Sequence, residues 1–202
     1  MSGRRLSACG VAMAALLAGA AGAAAQDRPP LFPSKDVTVN YRILGREGGQ
    51  AVTISQAAGA GMMRVDNPQM GGFALMDTAS GRATFVMTQM RTYMEMPPGQ
   101  LPIHAGSVDK DAKFTRKGTE TIAGVACTVW DMTSSQGEAT TCVSADGVML
   151  RVRTKSGDGM EATKVTFAAL PKDSFAVPAG FQKMDMPGMG AMPGPGGGQR
   201  GR

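Results

Sequence analysis

Val37-Thr38-Val39-Asn40-Tyr41-Arg42-Ile43 alternates apolar and polar side chains at every step. A period of two belongs to a β-strand with one buried face; a helix would return an apolar residue every three or four positions. Val37, Val39, Tyr41 and Ile43 therefore share one face, and Thr38, Asn40 and Arg42 the other. Gly48-Gly49 follows as a turn signal, and residues 50–57 form the return strand of a hairpin.

The same short-strand rhythm continues along the chain. Residues 62–66 form a strand closed by Asn67-Pro68, and residues 72–78 turn at Ser80-Gly81 into 82–90, where Phe85 and Met87 alternate with Thr84, Val86 and Thr88. Residues 91–96 make a short strand before Pro97-Pro98-Gly99 breaks it. Further strands are read over 113–118, 125–132 and 138–144. Asp146-Gly147 is a tight-turn dipeptide leading into 148–155, with Val148, Leu150 and Val152 facing in. Residues 161–169 carry Thr163, Val165 and Phe167 on one face, and Phe175, Val177 and Phe181 are expected to dock on the sheet. Residues 101–110 fit either a short helix or a loop.

No window of a dozen residues beyond the N-terminus holds an apolar helical stripe free of Gly or Pro. Hairpin spacing throughout predicts a mainly β domain over residues 36–183. It should be a single curled antiparallel sheet or incomplete β-barrel of roughly ten strands, with few or no helices.

The two ends differ from this pattern. Arg4-Arg5, an Ala- and Leu-rich run over 11–25 and the small-residue exit Ala23-Ala24-Ala25 have the three parts of an export signal. The run is shorter than the ~20 residues a membrane-spanning helix needs. Cleavage is expected after Ala25, giving a periplasmic or secreted protein with no transmembrane segment in the mature chain. Arg4-Arg5 leaves Sec and twin-arginine export both open. Leu6-Ser7-Ala8-Cys9 has the residue types of a lipoprotein box but precedes the apolar run, so Cys9 is expected to leave with the signal. Residues 26–35, with Pro29, Pro30 and Pro33, read as an extended lead-in and not a packed element. Residues 184–202 are Gly, Pro and Met with few core formers, and are expected to be disordered.

Composition narrows the function classes. Loss of Arg4 and Arg5 lowers the formal net charge from +5 to +3, and the charges are scattered, so nucleic-acid binding lacks its electrostatic footprint. No phosphate-binding glycine loop, zinc spacing or nucleophile elbow occurs. His104, the only histidine, lies in a Pro- and Gly-flanked stretch and reads as a loop residue. The expectation is a protein that is not an enzyme and carries no cofactor.

Aromatic residues are only 5% of the chain while Met reaches 17, of which 15 remain after Met1 and Met13. Met is flexible and polarizable; it fills gaps between strands and also suits surfaces that adapt to varied apolar partners. Met184, Met186, Met189 and Met192 in the tail are thioethers at a spacing that suits copper(I) or silver.

Removal of Cys9 leaves Cys127 and Cys142, an even count in an oxidising compartment. A hairpin turning at Ser134-Ser135 sets them directly opposite, at disulfide distance. Trp130, the only Trp, then falls on the face opposite Cys127, with Ala126 and Met132.

Several segments occur in a familiar order: Met63-Arg64-Val65-Asp66, Thr92-Tyr93-Met94-Glu95-Met96-Pro97, Gly118-Thr119-Glu120-Thr121-Ile122-Ala123-Gly124-Val125-Ala126-Cys127, and Phe175-Ala176-Val177-Pro178-Ala179-Gly180-Phe181. The chain resembles a family of exported bacterial domains of unknown function that is itself similar to the outer-membrane lipoprotein carriers, the LolA/LolB-like fold. The resemblance implies an incomplete curled barrel whose apolar concave face holds acyl chains beneath helical lids. No segment here suits the long lid helices, and no lipid-binding motif of the carriers can be matched residue by residue.

The expected function is therefore a periplasmic module that binds a lipid or other apolar ligand. Candidate wall residues, from alternation, are Phe73, Phe85, Met87, Trp130 and Phe167. Two alternatives stand beside it: an envelope domain that engages a protein partner without ligand, and metal binding by the Met-rich tail. Oligomeric state is not legible.

Overall fold

The computed structural model describes residues 28–45, 49–96, 98, 111–135 and 137–184. The export signal, His104, the 101–110 stretch and Met186, Met189 and Met192 all lie outside the described residues. The first strands are β1 (Val37–Leu44), β2 (Ala51–Ala57), β3 (Met62–Asn67), β4 (Gly72–Asp77), β5 (Ala83–Met87) and β6 (Thr92–Met96). The second series is β7 (Lys113–Ile122), β8 (Val125–Ser134), β9 (Gly137–Ser144), β10 (Met149–Thr154) and β11 (Gly159–Phe167). A two-residue β12 (Gln182–Lys183) closes the order, and three single-turn 3-10 helices are the only helical pieces among the described residues.

All twelve strands form one sheet in the order β12-β6-β5-β4-β3-β2-β1-β11-β10-β9-β8-β7. Every pairing is antiparallel except β12 with β6. Twelve strands stand against the roughly ten expected; β12, at two residues, is too short to announce itself in a sequence.

The β2–β6 meander has a ten-residue repeat. Its turns end at Gly61, Gly71, Gly81 and Arg91, each with a left-handed φ of 62°, 65°, 69° and 52° respectively. Thr78 Oγ1 donates to the Gly61 carbonyl at 2.7 Å, and Thr88 Oγ1 to the Gly71 carbonyl at 2.9 Å, so each tip is tied to the next but one. Arg91 stands where the other three turns use glycine, the residue with no Cβ penalty in that conformation.

The sheet curls until β7 touches β11, although three strands separate them in the order. One hydrophobic core thus draws Val37, Val39, Ile54, Val65, Val148 and Leu150 together, from both halves of the sheet. Bulges set much of the curl. At the β1–β11 bulge Asn40 pairs with Lys164 but Tyr41 with Ala162. Thr163 is left over and donates to the Asn40 carbonyl, so it does not share the Val165 and Phe167 row as simple alternation implied.

The disulfide joins Cys127 and Cys142, with Cα atoms 5.5 Å apart. Its register differs from the expected one. Ser134 pairs with Gly137 and Val129 with Cys142, so the turn centre lies one residue later and the two cysteines are diagonal neighbours. The pairing survives because cysteines two positions off register still project to one side of a twisted ladder.

The described part of the lead-in, residues 28–35, is packed, contrary to the reading from its prolines. Pro29 and Pro33 are buried, and the Ser34 amide donates to the Asp146 carbonyl at 2.8 Å. Gly147, with φ 83°, lets it pass: a Cβ there would meet the Phe32 carbonyl oxygen at 2.1 Å.

Candidate functional site

Register within the meander builds an apolar surface from cross-strand rows. Met63 faces Met76, which faces Ala83, which faces Met96. The next row is Val65, Ala74, Phe85 and Met94. Met87 lies one step further along β5, on the same face as Phe85. Met63, Val65, Ala74 and Met76 are buried in the main core, while Phe85, Met87, Met94 and Met96 are half-buried toward the β6 side. Half of this face is thus core and half is accessible apolar surface, made of side chains that adjust their shape readily.

The opposite face of the same strands is closed. Phe73, Leu75 and Val86 form a second core, covered by Val177 and Phe181 of the C-terminal strap, with Tyr93 at its side. Arg64 pins the strap. Its guanidinium grips both Asp66 carboxylate oxygens at 2.7 to 3.1 Å, donates to the Ser174 carbonyl at 3.0 Å and stacks 3.7 Å over the Phe73 ring.

The five wall residues read from alternation do not form one wall. Phe85 and Met87 lie together on the inner face. Phe73 is the direct partner of Val86 and belongs to the second core, on the other side of the sheet. Phe167 faces Val37 at the end of β11 and is 40% exposed. Trp130 is buried on β8 and meets Phe114 edge to face, with centroids 6.5 Å apart. Among the described residues its buried indole N–H has no acceptor, a donor left over for a polar atom. Met94 and Met96 were the residues missed. Their two-residue spacing was visible, but their edge position depends on strand order.

Polar chemistry is sparse. Among the described residues no group of three His, Cys, Asp or Glu side chains converges as a metal site. A shallow groove of about 400 Å³ at the β7–β10 end is lined by Lys117, Asp131, Glu138, Arg153 and Lys155 with several threonines. Two of its three cations are paired within it: Lys117 with Asp131 at 3.0 Å, and Lys155 with Glu138. The Lys117 ammonium holds the Asp131 carboxyl below its ordinary value. Among the described residues Tyr41 is the one strongly shifted buried group; burial pushes its phenol well above the usual tyrosine range, and its hydroxyl donates to the Met149 carbonyl at 2.6 Å.

Comparison with known proteins agrees with the motifs. The model of a family described as Domain of unknown function (DUF4412) matches residues 60–154. No curated protein matches the chain. Among solved structures, an uncharacterized conserved protein from Thermus thermophilus is similar at a TM-score of 0.53 and 13% identity, over 75% of this chain and 90% of that one. PNGF-II is similar at 0.51 and 8% identity, over 75% of this chain but 32% of its own. MucB is similar at 0.50 and 13% identity, over 75% of this chain and 60% of its own; a complex of Pseudomonas aeruginosa MucA and MucB is also known. The chain thus spans about a third of PNGF-II and 60% of MucB. At these identities the likeness shows the fold alone, a single curled antiparallel sheet consistent with the LolA/LolB-like class that the sequence motifs resemble.

Proposed function

We propose that this is an exported, non-enzymatic binding module that holds a lipid or other apolar molecule on the methionine-rich end of its inner face. The observation that carries the proposal is the gradient of burial across the rows: Met63 and Met76 are core, while Phe85, Met87, Met94 and Met96 are half-buried, with Thr92 beside Met87 as the polar residue on their face. Apolar clefts with adaptable walls are the usual sites for apolar ligands. A buried disulfide supports work in an oxidising compartment, and with it export.

Native mass spectrometry of protein purified from its host tests the role. A co-purifying lipid mass is expected, together with binding of a fluorescent fatty acid that Phe85→Glu and Met87→Glu each weaken about tenfold or more, since each places a charge in the apolar path. Lipid-free protein that binds no fatty acid overturns it. N-terminal sequencing of the exported form should begin at Gln26.

A second role, engagement of an envelope protein, is favoured by β7. Its ten residues end the sheet order and all but Phe114 and Ile122 are exposed, so that among the described residues its outer edge pairs with no further strand and suits strand addition. A photo-crosslinker at Thr119 that yields one discrete adduct in the host, absent when it stands at Lys164, would favour this role.

A further inference from the structure

We propose that Met94, Met96 and Met184 form a site for a soft monovalent metal ion, copper(I) or silver(I), at the β12–β6 edge of the sheet. Met94 and Met96 also belong to the apolar surface proposed above, but the metal site needs no bound lipid.

Placement carries the proposal. β12 lies parallel to β6 with Gln182 beside Thr92 and Lys183 beside Tyr93. The Gln182 amide donates to the Arg91 carbonyl at 2.9 Å and the Met184 amide to the Tyr93 carbonyl at 2.8 Å. One more step of that register sets Met184 beside Met94. Met94 and Met96 alternate onto the same face, where their antiparallel partners are Phe85 and Ala83. Neighbouring strands are about 4.8 Å apart and alternate residues about 6.6 Å, so three unbranched side chains can bring their sulfurs together.

Exposure and chemistry agree. Met184 is 40% exposed and Met94 and Met96 are half-buried, so none of the three is sealed in the core. From the other face the Lys183 ammonium grips Glu95 at 2.7 Å and holds the two strands in register. Thioethers are soft, uncharged donors; with no imidazole, thiolate or carboxylate among the three, the set selects copper(I) or silver(I) over zinc or calcium. Thioethers also carry no proton to lose, so binding should be independent of pH, unlike sites built on His, Cys or carboxylates.

Silver nitrate titration of the full mature chain, in chloride-free buffer and followed by calorimetry and by Met methyl NMR, tests the site. The parent should bind one ion at the edge, shifting the Met94, Met96 and Met184 methyl signals, with affinity flat between about pH 5.5 and 8. Met94→Leu/Met96→Leu/Met184→Leu keeps apolar volume and removes every sulfur. It should weaken that ion by about tenfold or more. Met184→Leu alone, at an exposed position, gives the same test with no risk to the core. Met186→Leu/Met189→Leu/Met192→Leu should leave the edge site intact. Affinity within twofold of the parent in the triple edge variant, or loss confined to the tail variant, overturns the proposal. A parent protein that binds silver at the edge but no fatty acid would sink the apolar-ligand role alone.

Discussion

Removal of the Cys127–Cys142 bond should destabilise the domain by about 3 to 4 kcal/mol. The bond joins residues separated by 15 positions, and in the chain-entropy model a loop of that size is worth about 3 kcal/mol at 25 °C. Both half-cystines sit inside the main core at 4% and 0% exposure. Cys127→Ala/Cys142→Ala therefore also deletes two well-packed sulfur atoms, and the residual voids add on the order of 1 kcal/mol. Cys127→Ser/Cys142→Ser should be worse still. It leaves two hydroxyls in an apolar cluster, at about 1 to 3 kcal/mol each if they find no partner. Urea denaturation with linear extrapolation measures both variants against the parent. For a chain of this length each kcal/mol also lowers the thermal midpoint by about 2 to 4 °C. The expected order of stability is parent, alanine pair, serine pair. A loss under about 1 kcal/mol in the alanine pair would refute the entropic account. Equal stability of the alanine and serine pairs would refute the claim that the sulfurs are desolvated.

Three further outcomes are expected. Arg64→Ala removes the tie between β3 and the strap along with the cation over Phe73, and should cost about 2 to 4 kcal/mol from a charged hydrogen bond and the ring contact together. Faster amide exchange over 171–184, ahead of the rest of the sheet, is the signature, and uniform exchange would contradict it. Arg91→Gly should stabilise by about 0.5 to 1 kcal/mol, because relief of a left-handed non-glycine residue outweighs the added freedom of the unfolded chain; a lower urea midpoint would count against the turn argument. Burial raises the folded pKa of Tyr41 above its ordinary 10.0. Its contribution is therefore intact below pH 10 and falls as pH rises past 10, where the unfolded chain ionises first. In a Tyr93→Phe background, phenolate absorbance should appear only together with loss of the folded circular-dichroism signal; ionisation in the folded state would refute that.

At the acid end the sign is opposite. Backbone hydrogen bonds from Ser80 and Ala79 lower the Asp77 pKa, and the Lys35 ammonium does the same for Asp146. These stabilising effects are present above the ordinary carboxylate range and fade as pH falls through the lowered folded values. Both groups are solvent-facing, so the effect is a gentle slope.

Much of the sheet was legible because its signals are local. Val37, Val39 and Tyr41 alternate as written and are buried at 0 to 3% exposure. Val177 and Phe181 dock on the sheet as their spacing after β11 suggested. The candidate site was less legible. Phe73 and Phe85 look equivalent as aromatic residues on neighbouring strands, yet one lies under the strap and the other on the inner face. Their parity is fixed by the turn at Gly81, and a single-residue change in a turn would reverse it. The Gly61, Gly71, Gly81 and Arg91 repeat was a readable signal for the meander, masked by the one non-glycine member.

The sequence by itself determined a β domain of short hairpins and a paired set of cysteines, because alternation and turn residues act over a few neighbouring positions. Only the tertiary structure decided which strands became edges, where bulges shifted register at Asn40 and Met149, and which apolar faces closed. Those outcomes depend on contacts between residues far apart in the chain. β12 is the extreme case: two residues acquire strand geometry only because β6 offers an edge beside them, and that edge brings Met184 to Met94.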